Sequence, residues 1–372
     1  MIEYVEIRNA ETKVIGIIDV ANSIIWHSVF FGVGDFEIYV SATPEIVGLL
    51  LSGQYVTRPN NKEVGIIEEI RIINDEQDGR MITASGRFVK SILDRRLIYN
   101  LSGKTNTPTI LRGNVENATR ETVKNNAIAC AFDSKRNIDL LTLGAAANIP
   151  LQIVDAKGKA AQKQVSYENL LTYTDGVLEE YGLAAMCVLV DGHFQYIVLQ
   201  GTDRSKDNIN GNSPIVFSQE YDNLLSSDYL HNTTSEKNAA LIGGEGEGLQ
   251  RFYSMVENGA KGLQRREIWV DASSISKTYK DENDVEQTYT DEQYKTMLDA
   301  KGKQDLAPRV ALETFDGAID ITNGNYIYGR DFTLGDIVTV QDNEIGKYIN
   351  VRIREVTEVQ DEDGYSIEVN YQ

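Results

Sequence analysis

Asp331-Phe332-Thr333-Leu334-Gly335-Asp336-Ile337-Val338-Thr339-Val340, followed by Val351-Arg352-Ile353-Arg354-Glu355-Val356, is the stretch that decides how this chain folds. After Leu334-Gly335-Asp336 the chain enters the β-branched run 337–340 and then turns through residues 342–346. Ile349, Val351 and Ile353 next alternate with Asn350, Arg352 and Arg354, the period of two expected of a strand with one buried face. A third strand follows the turn at Asp363-Gly364, with Tyr365, Ile367, Val369 and Tyr371 set against Ser366, Glu368 and Asn370. The spacing predicts a meander, the wall of a small β-barrel, running to the last residue. Tyrosines at such alternating positions are read as wall packing. Nothing in the stretch carries chemistry.

The chain has 372 residues, too many for one ordinary core, so several domains are expected. Its 41% hydrophobic and 25% charged residues are those of a globular protein. Six prolines and no linker-like tract imply domains that pack on one another. The formal net charge of −20, from 36 basic and 56 acidic residues, argues against a nucleic-acid coat or a binder of anionic membranes. Cys130 and Cys187 each sit in an apolar run and read as buried, reduced thiols. The first residues lack a basic region and an apolar signal core. The longest apolar run, 183–190, is far short of the ~20 residues of a membrane helix. Synthesis and folding in a reducing cytoplasm are expected.

Residues 1–105 are rich in short strands: 5–7, 14–20, 24–31, 36–40, and a pair, 63–73 and 80–88, around the hairpin signal Asp78-Gly79. A helix is predicted at 44–51, with Thr43 as N-cap and Pro44 at its first position, and another at 87–97. The segment reads as a closed or nearly closed β-barrel, or a sandwich. Residues 106–210 change character. Helices are predicted at 119–132 and 166–181, the second capped by Ser166, before a hairpin of 184–190 and 194–199 around Asp191-Gly192. This is an α+β lobe. Residues 211–310 mix extended stretches (214–217, 239–244, 265–270) with a polar, acidic loop at 276–286. Thr290 with Gln293 forms a capping box opening a helix at 291–300. Residues 311–372 return to barrel-like strands. The fold class is α+β, predominantly β: two tube-type barrels plus an α+β lobe, with a late segment completing an early barrel. No internal repeat or heptad is found.

No residue set announces catalysis. Gly243-Gly244-Glu245-Gly246-Glu247-Gly248 is not a phosphate loop, because no Gly-Lys-Ser/Thr follows and its two glutamates repel phosphate; its spacing also misses the dinucleotide fingerprint. Alternating glycines in a strand read instead as a bulge or as close approach of another chain. The acidic run Asp281-Glu282-Asn283-Asp284-Val285-Glu286 fails as a calcium loop, since Val285 stands where an oxygen ligand is needed and Glu286 where glycine is. Residues 203–210 fail likewise. His27, His193 and His231 are scattered, with no metal spacing. No metal, cofactor or catalytic residue is assigned. A glycosidase needs only two carboxylates brought together by the fold, which keeps a hydrolase open as an alternative.

Two blocks together resemble a known family. The first is Asn238-Ala239-Ala240-Leu241-Ile242 with the glycine run and Arg251, then Arg265-Arg266-Glu267-Ile268-Trp269-Val270-Asp271-Ala272. The second is Tyr328-Gly329-Arg330 leading into the terminal stretch. The helix around 294–300 and the N-terminal pattern Phe36-Glu37-Ile38 with Ala84-Ser85-Gly86 are similar in placement, so the likeness touches most of the chain. The pattern resembles the minor tail proteins of long-tailed phages, of the baseplate-hub or tail-associated type. That resemblance implies a homotrimeric ring at the distal end of the tail tube, two barrels per subunit giving pseudo-sixfold symmetry. It implies a tail tube or distal tail protein above, a separate tip, receptor-binding or lysin protein below, and DNA passing through the lumen without specific binding. It places the protein in the virion, at the tail tip of a phage or a prophage-derived particle. Relatives continue into a lytic or host-binding extension; the final strand here ends at Gln372, and scaffold and channel are expected of this chain.

The net charge fits such a channel, since a basic lumen would hold DNA through its phosphates. Gly243, Gly244, Gly246 and Gly248 are the candidate interface residues, expected at or beside an inter-subunit contact or a sheet junction. The competing readings are a cell-wall hydrolase and a carbohydrate- or receptor-binding module, the latter resting on 19 tyrosines.

Overall fold

Alternating burial builds the principal sheet. Its strands in chain order are β1 (Ser23–Val29), β2 (Asp35–Ser41), β3 (Glu69–Asp75), β4 (Gly79–Arg87), β5 (Val216–Ser218), β6 (Ile337–Asp342), β7 (Lys347–Asp361) and β8 (Gly364–Tyr371). The computed structural model describes residues 2–75, 79–155, 158–280, 284–319, 326–344 and 346–371. Neighbours follow the order β5-β6-β7-β1-β2-β4-β3, with β8 also on β7. Every pairing is antiparallel except the parallel β5–β6. The long strand β7 joins the two ends of the chain. Its first half pairs with β6, from Ile337↔Arg352 to Asp342↔Lys347. Its second half pairs with β1, from Glu355↔Val29 to Gln360↔Ile24, and offers its other edge to β8 across a bulge between Ile353 and Glu355.

The terminal alternation appears as read: Ile367, Val369 and Tyr371 are buried, and Ser366, Glu368 and Asn370 are exposed. In the β3–β4 pair Asp75 lies opposite Gly79, and Asp78 of the expected turn lies outside the described residues. The core under this sheet centres on Trp26, whose ring lies 4.9 Å from Phe88 and 5.8 Å from Phe36. Ile7 and Val56 reach it from a second sheet ordered Val14–Ile18, Val5–Arg8, Tyr55–Thr57, Gly65–Ile66, and Ile67 from just beyond its last strand. Each such side chain contributes roughly 1.5–3 kcal/mol by burial. Glycine is required at Gly86, where a Cβ would stand 1.9 Å from the Ile66 carbonyl.

The helices are α1 (Pro44–Leu49), α2 (Val115–Val123), α3 (Leu170–Glu180) and α4 (Asp291–Leu306). The Thr43 hydroxyl accepts from Ile46 N at 3.2 Å and starts α1, with Pro44 in its first turn. α2 begins four residues before the reading from periodicity. Asn114 caps it by accepting from Asn117 N (2.9 Å), while its amide donates to the carbonyls of Ile149 and Leu151, so a tertiary contact selects the start. The helix then widens into a π turn at Lys124–Ile128. α3 is capped by Asn169, not Ser166. The Asn169 side chain accepts from Thr172 N (3.1 Å), whereas the Ser166 hydroxyl accepts from Asn106, and Tyr167 at φ 66° breaks the chain between them.

The segment expected as helix 87–97 is a 3₁₀ turn, Val89–Arg95, because Arg87 is still held in β4 opposite Asp35. The hairpin Ala184–Val190 with His193–Leu199 follows its prediction, with Asp191 and Gly192 both at positive φ (48° and 79°). Cys130 and Cys187 are buried and unbonded.

The chain divides into two compact units, Met1–Ser227 with Asp316–Gln372, and Asp228–Phe315. The second unit has a three-stranded sheet with Ala239–Gly243 at its centre, antiparallel to Tyr253–Glu257 and parallel to Glu267–Asp271. Ala240, Ile242 and Val270 turn one face toward Tyr294 and Leu298 of α4. Thr290 and Gln293 make both bonds of the capping box, and the helix continues past Ala300 to Leu306. The stretch expected as one acidic loop is a hairpin, Thr278–Lys280 against Glu286–Thr288, whose residues 281–283 lie outside the described set. Tyr279 stacks on Tyr289 there (centroids 4.4 Å apart). No helix among the described residues is long and apolar enough to cross a membrane.

Candidate functional site

The glycine run leaves the central strand of the second unit and crosses the top of its sheet. A Cβ on Gly243 would stand 2.2 Å from the Trp269 ring, and one on Gly244 would stand 2.6 Å from the Tyr294 hydroxyl. Both glycines therefore meet side chains of their own unit. Gly246 (φ 101°) and Gly248 (φ 55°) supply left-handed turns. Glu245 is exposed but tied down at both ends. Its backbone N–H donates to Tyr294 (2.7 Å), and its carboxylate accepts from Lys277 N (2.7 Å). Glu247 and Leu249 are exposed.

The sheet face away from α4 is apolar and open. Leu241, Tyr253, Met255 and Trp269 lie there, between 38% and 51% exposed. Arg251 folds back over it, 5.0 Å above the Trp269 ring, with its guanidinium on Asp271 (2.6 Å). Arg265 folds back at the other end onto Glu257 and Glu267.

The first unit holds a cavity of about 480 Å³ lined by Ser28, Phe30, Glu63, Phe88, Cys187 and Tyr328, among others. Glu63 is a carboxyl of this wall that burial perturbs. Burial pushes the carboxyl up to about 7; the Ser28 hydroxyl that donates to it, and the positive charges of Arg58 and Lys90, offset only part of this. Lys62 in the wall is exposed, and the buried charged groups nearby are paired. Arg58 and Glu358, buried and 300 residues apart, form a bidentate pair (2.9 Å for Nη1–Oε2), and Tyr365 donates to the same carboxylate. Lys90 reaches both oxygens of Asp175, at 2.8 and 3.0 Å. Asp336, also in the cavity wall, accepts from Thr202 N, Thr333 N and Arg204. A two-carboxylate glycosidase needs a second carboxylate beside the first; among the described residues of this cavity wall that second carboxylate is Asp336, held by three donors. Burial pushes the Cys187 thiol up to about 12, which makes it a poor nucleophile.

The histidines do not converge: His27 meets Asp35 (3.1 Å), His193 meets the Asp191 carbonyl (3.1 Å), and His231 is exposed. Among the described residues no group of three His, Cys, Asp or Glu could hold a metal ion. Sequence reasoning missed Glu63, Arg58 and Glu358, since nothing local to them signals a pairing across 300 residues. It also missed a short repeat. Glu247-Gly248-Leu249-Gln250-Arg251 and Lys261-Gly262-Leu263-Gln264-Arg265 differ only in their first residue, a period too short for a search aimed at repeat architectures.

The sequence profile of the Siphovirus ReqiPepy6 Gp37-like protein family matches residues 4–371. The chain belongs to that family. Its fold is that of solved phage tail proteins. The tail protein from Neisseria meningitidis MC58 is 16% identical, with 99% of this chain and 95% of that one covered and a TM-score of 0.55. The prophage MuSo2 43 kDa tail protein from Shewanella oneidensis is 11% identical, with 100% and 98% covered and a TM-score of 0.57. No curated protein matches the chain in sequence. The family and the fold make this a phage tail protein, as the terminal meander and the glycine block had implied.

Proposed function

We propose that this tail protein is a structural component of the tail tip: a baseplate hub that joins the tail tube to the distal tip and lines the DNA channel as a homotrimer. The observation that carries the reading is full-length likeness of fold to tail proteins, combined with a first unit whose early and late strands share one sheet. In this reading the tube or distal tail protein sits above, a separate tip, receptor-binding or lysin protein docks below, and the barrel-like segments at 1–105 and 311–372 repeat around the ring. DNA passes without specific binding, favoured by the net charge of −20. The chain acts without catalysis, a reading supported by Glu63: burial raises its pKa, and the other carboxylate of its cavity wall, Asp336, is held by three donors.

Mass measurement of the purified protein, with electron-microscope images of the particle, tests the proposal. Rings of three with a central hole at the tail tip are expected. A monomer that degrades purified cell wall would replace the hub by the hydrolase. A strongly basic lumen in the assembled ring would sink the channel argument.

A further inference from the structure

The two copies of the short repeat are one device used twice. Each is a 3₁₀ turn opened by a left-handed glycine, Gly248 at φ 55° and Gly262 at φ 56°, and each flanking residue is extended. Each closes on an arginine folded back onto the open sheet face, Arg251 to Asp271 and Arg265 to Glu257 and Glu267. Each raises one leucine fully into solvent: Leu249 is 107% exposed and Leu263 is 95% exposed. A rigid turn, tied down by a charged side chain, that holds a bare leucine has no purpose within the unit itself.

Topology places the two turns apart. The first follows the central strand at Gly243; the second follows its antiparallel neighbour at Glu257, opposite Ala239. They therefore stand at opposite ends of one sheet, separated by the length of a five-residue strand, roughly 17 Å. They differ in charge. The residue before the glycine is Glu247 in the first turn and Lys261 in the second; both are exposed. The first end also carries Glu245 and the Arg251–Asp271 pair, and at the second Arg265 and Arg266 are matched by Glu257, Glu267 and Glu236, so the difference in charge between the ends lies in Glu247 and Lys261.

We propose that the two turns are the two halves of a head-to-tail contact between copies of this chain, Leu249 of one copy against Leu263 of the next, with Glu247 opposite Lys261. The opposite charges of Glu247 and Lys261, both exposed, select this arrangement. Contact between like ends would set Glu247 against Glu247, or Lys261 against Lys261, in a two-fold dimer. A contact between unlike ends propagates and closes only as a ring. The inference rests on the ring reading above and names its fastening.

Two single variants, Leu249→Cys and Leu263→Cys, are made in the full chain and oxidised separately and mixed; native Cys130 and Cys187 are buried. Crosslinked dimers are expected in the mixture and in neither variant alone. A crosslink within either single variant shows contact between like ends and overturns the proposal, as does no crosslink in the mixture. In sedimentation velocity, Leu249→Asp or Leu263→Asp should weaken self-association about tenfold to a hundredfold, the loss expected for one buried leucine. Glu247→Lys and Lys261→Glu should each weaken it, and the double exchange should restore it. Association unmoved by all four also overturns the contact. Tail-tip rings seen without the crosslink would keep the hub and reject this fastening; the crosslink in a protein absent from the tail tip would do the reverse.

Discussion

The two units invert the usual distribution of polarity in opposite senses. The first buries charge in pairs: Arg58 with Glu358, and Lys90 against the half-buried Asp175. The second exposes apolar side chains: Leu249 and Leu263 at its turns, Trp269, Met255 and Leu241 on its open sheet face. Buried ion pairs contribute little net stability, but they penalise every arrangement that separates the partners. In the first unit that selects the register joining β7 to β1. Exposed leucines likewise contribute nothing to their own unit and stabilise only a state in which something covers them. One region is specified internally; the other awaits a contact.

Breaking the buried pair should give the largest effect. Arg58→Ala leaves Glu358 buried without its partner and should cost about 3–5 kcal/mol in urea unfolding of the full chain. Arg58→Met with Glu358→Leu should recover most of that loss; if it does not, the pair contributes more than register. The next test is pH. The folded Glu63 carboxyl lies near 7, above its ordinary 4.5, so folding favours its protonated form. Its contribution is therefore present at acid pH, is lost as pH rises from about 4.5 to about 7, and stays level above that. Thermal melts of Glu63→Gln should lack that decline, and a wild-type curve of the same shape as the variant's would contradict it.

Asn169→Ala removes the cap of α3 and should cost about 1 kcal/mol, while Ser166→Ala, the cap the sequence favours, should cost less. The smallest effect falls in the second unit. Leu249→Ser should change unfolding stability by less than about 0.5 kcal/mol, although it is expected to impair assembly. A large loss of stability there would erase the contrast between the units.

What was legible in the sequence was local. The alternation at 365–371, the left-handed pair Asp191-Gly192 and the capping box at Thr290 each depend on a few adjacent residues, and each appears as read. What was not legible was chosen by distant partners. Asn114 is the cap of α2 because its amide also reaches Ile149 and Leu151, and Ser166 is diverted to Asn106. The candidate glycines were found from their clustering, but the clash that demands Gly243 comes from Trp269, and no spacing in the sequence announces it. The leucine turns were readable as a repeat of five residues and escaped because repeat architectures are sought at longer periods.

The pairing of Trp26 with Glu358 has a consequence in time. During synthesis at about 5–20 residues per second, β1 and β2 emerge roughly 20 to 60 s before the strand that completes their sheet. Until β7 arrives, β1 offers an unpaired apolar edge, the kind of intermediate that chaperones hold and that aggregation exploits. A nascent chain that stalls midway can pair β1, β2, β4 and β3, but it leaves the edge of β1 open where β7 belongs.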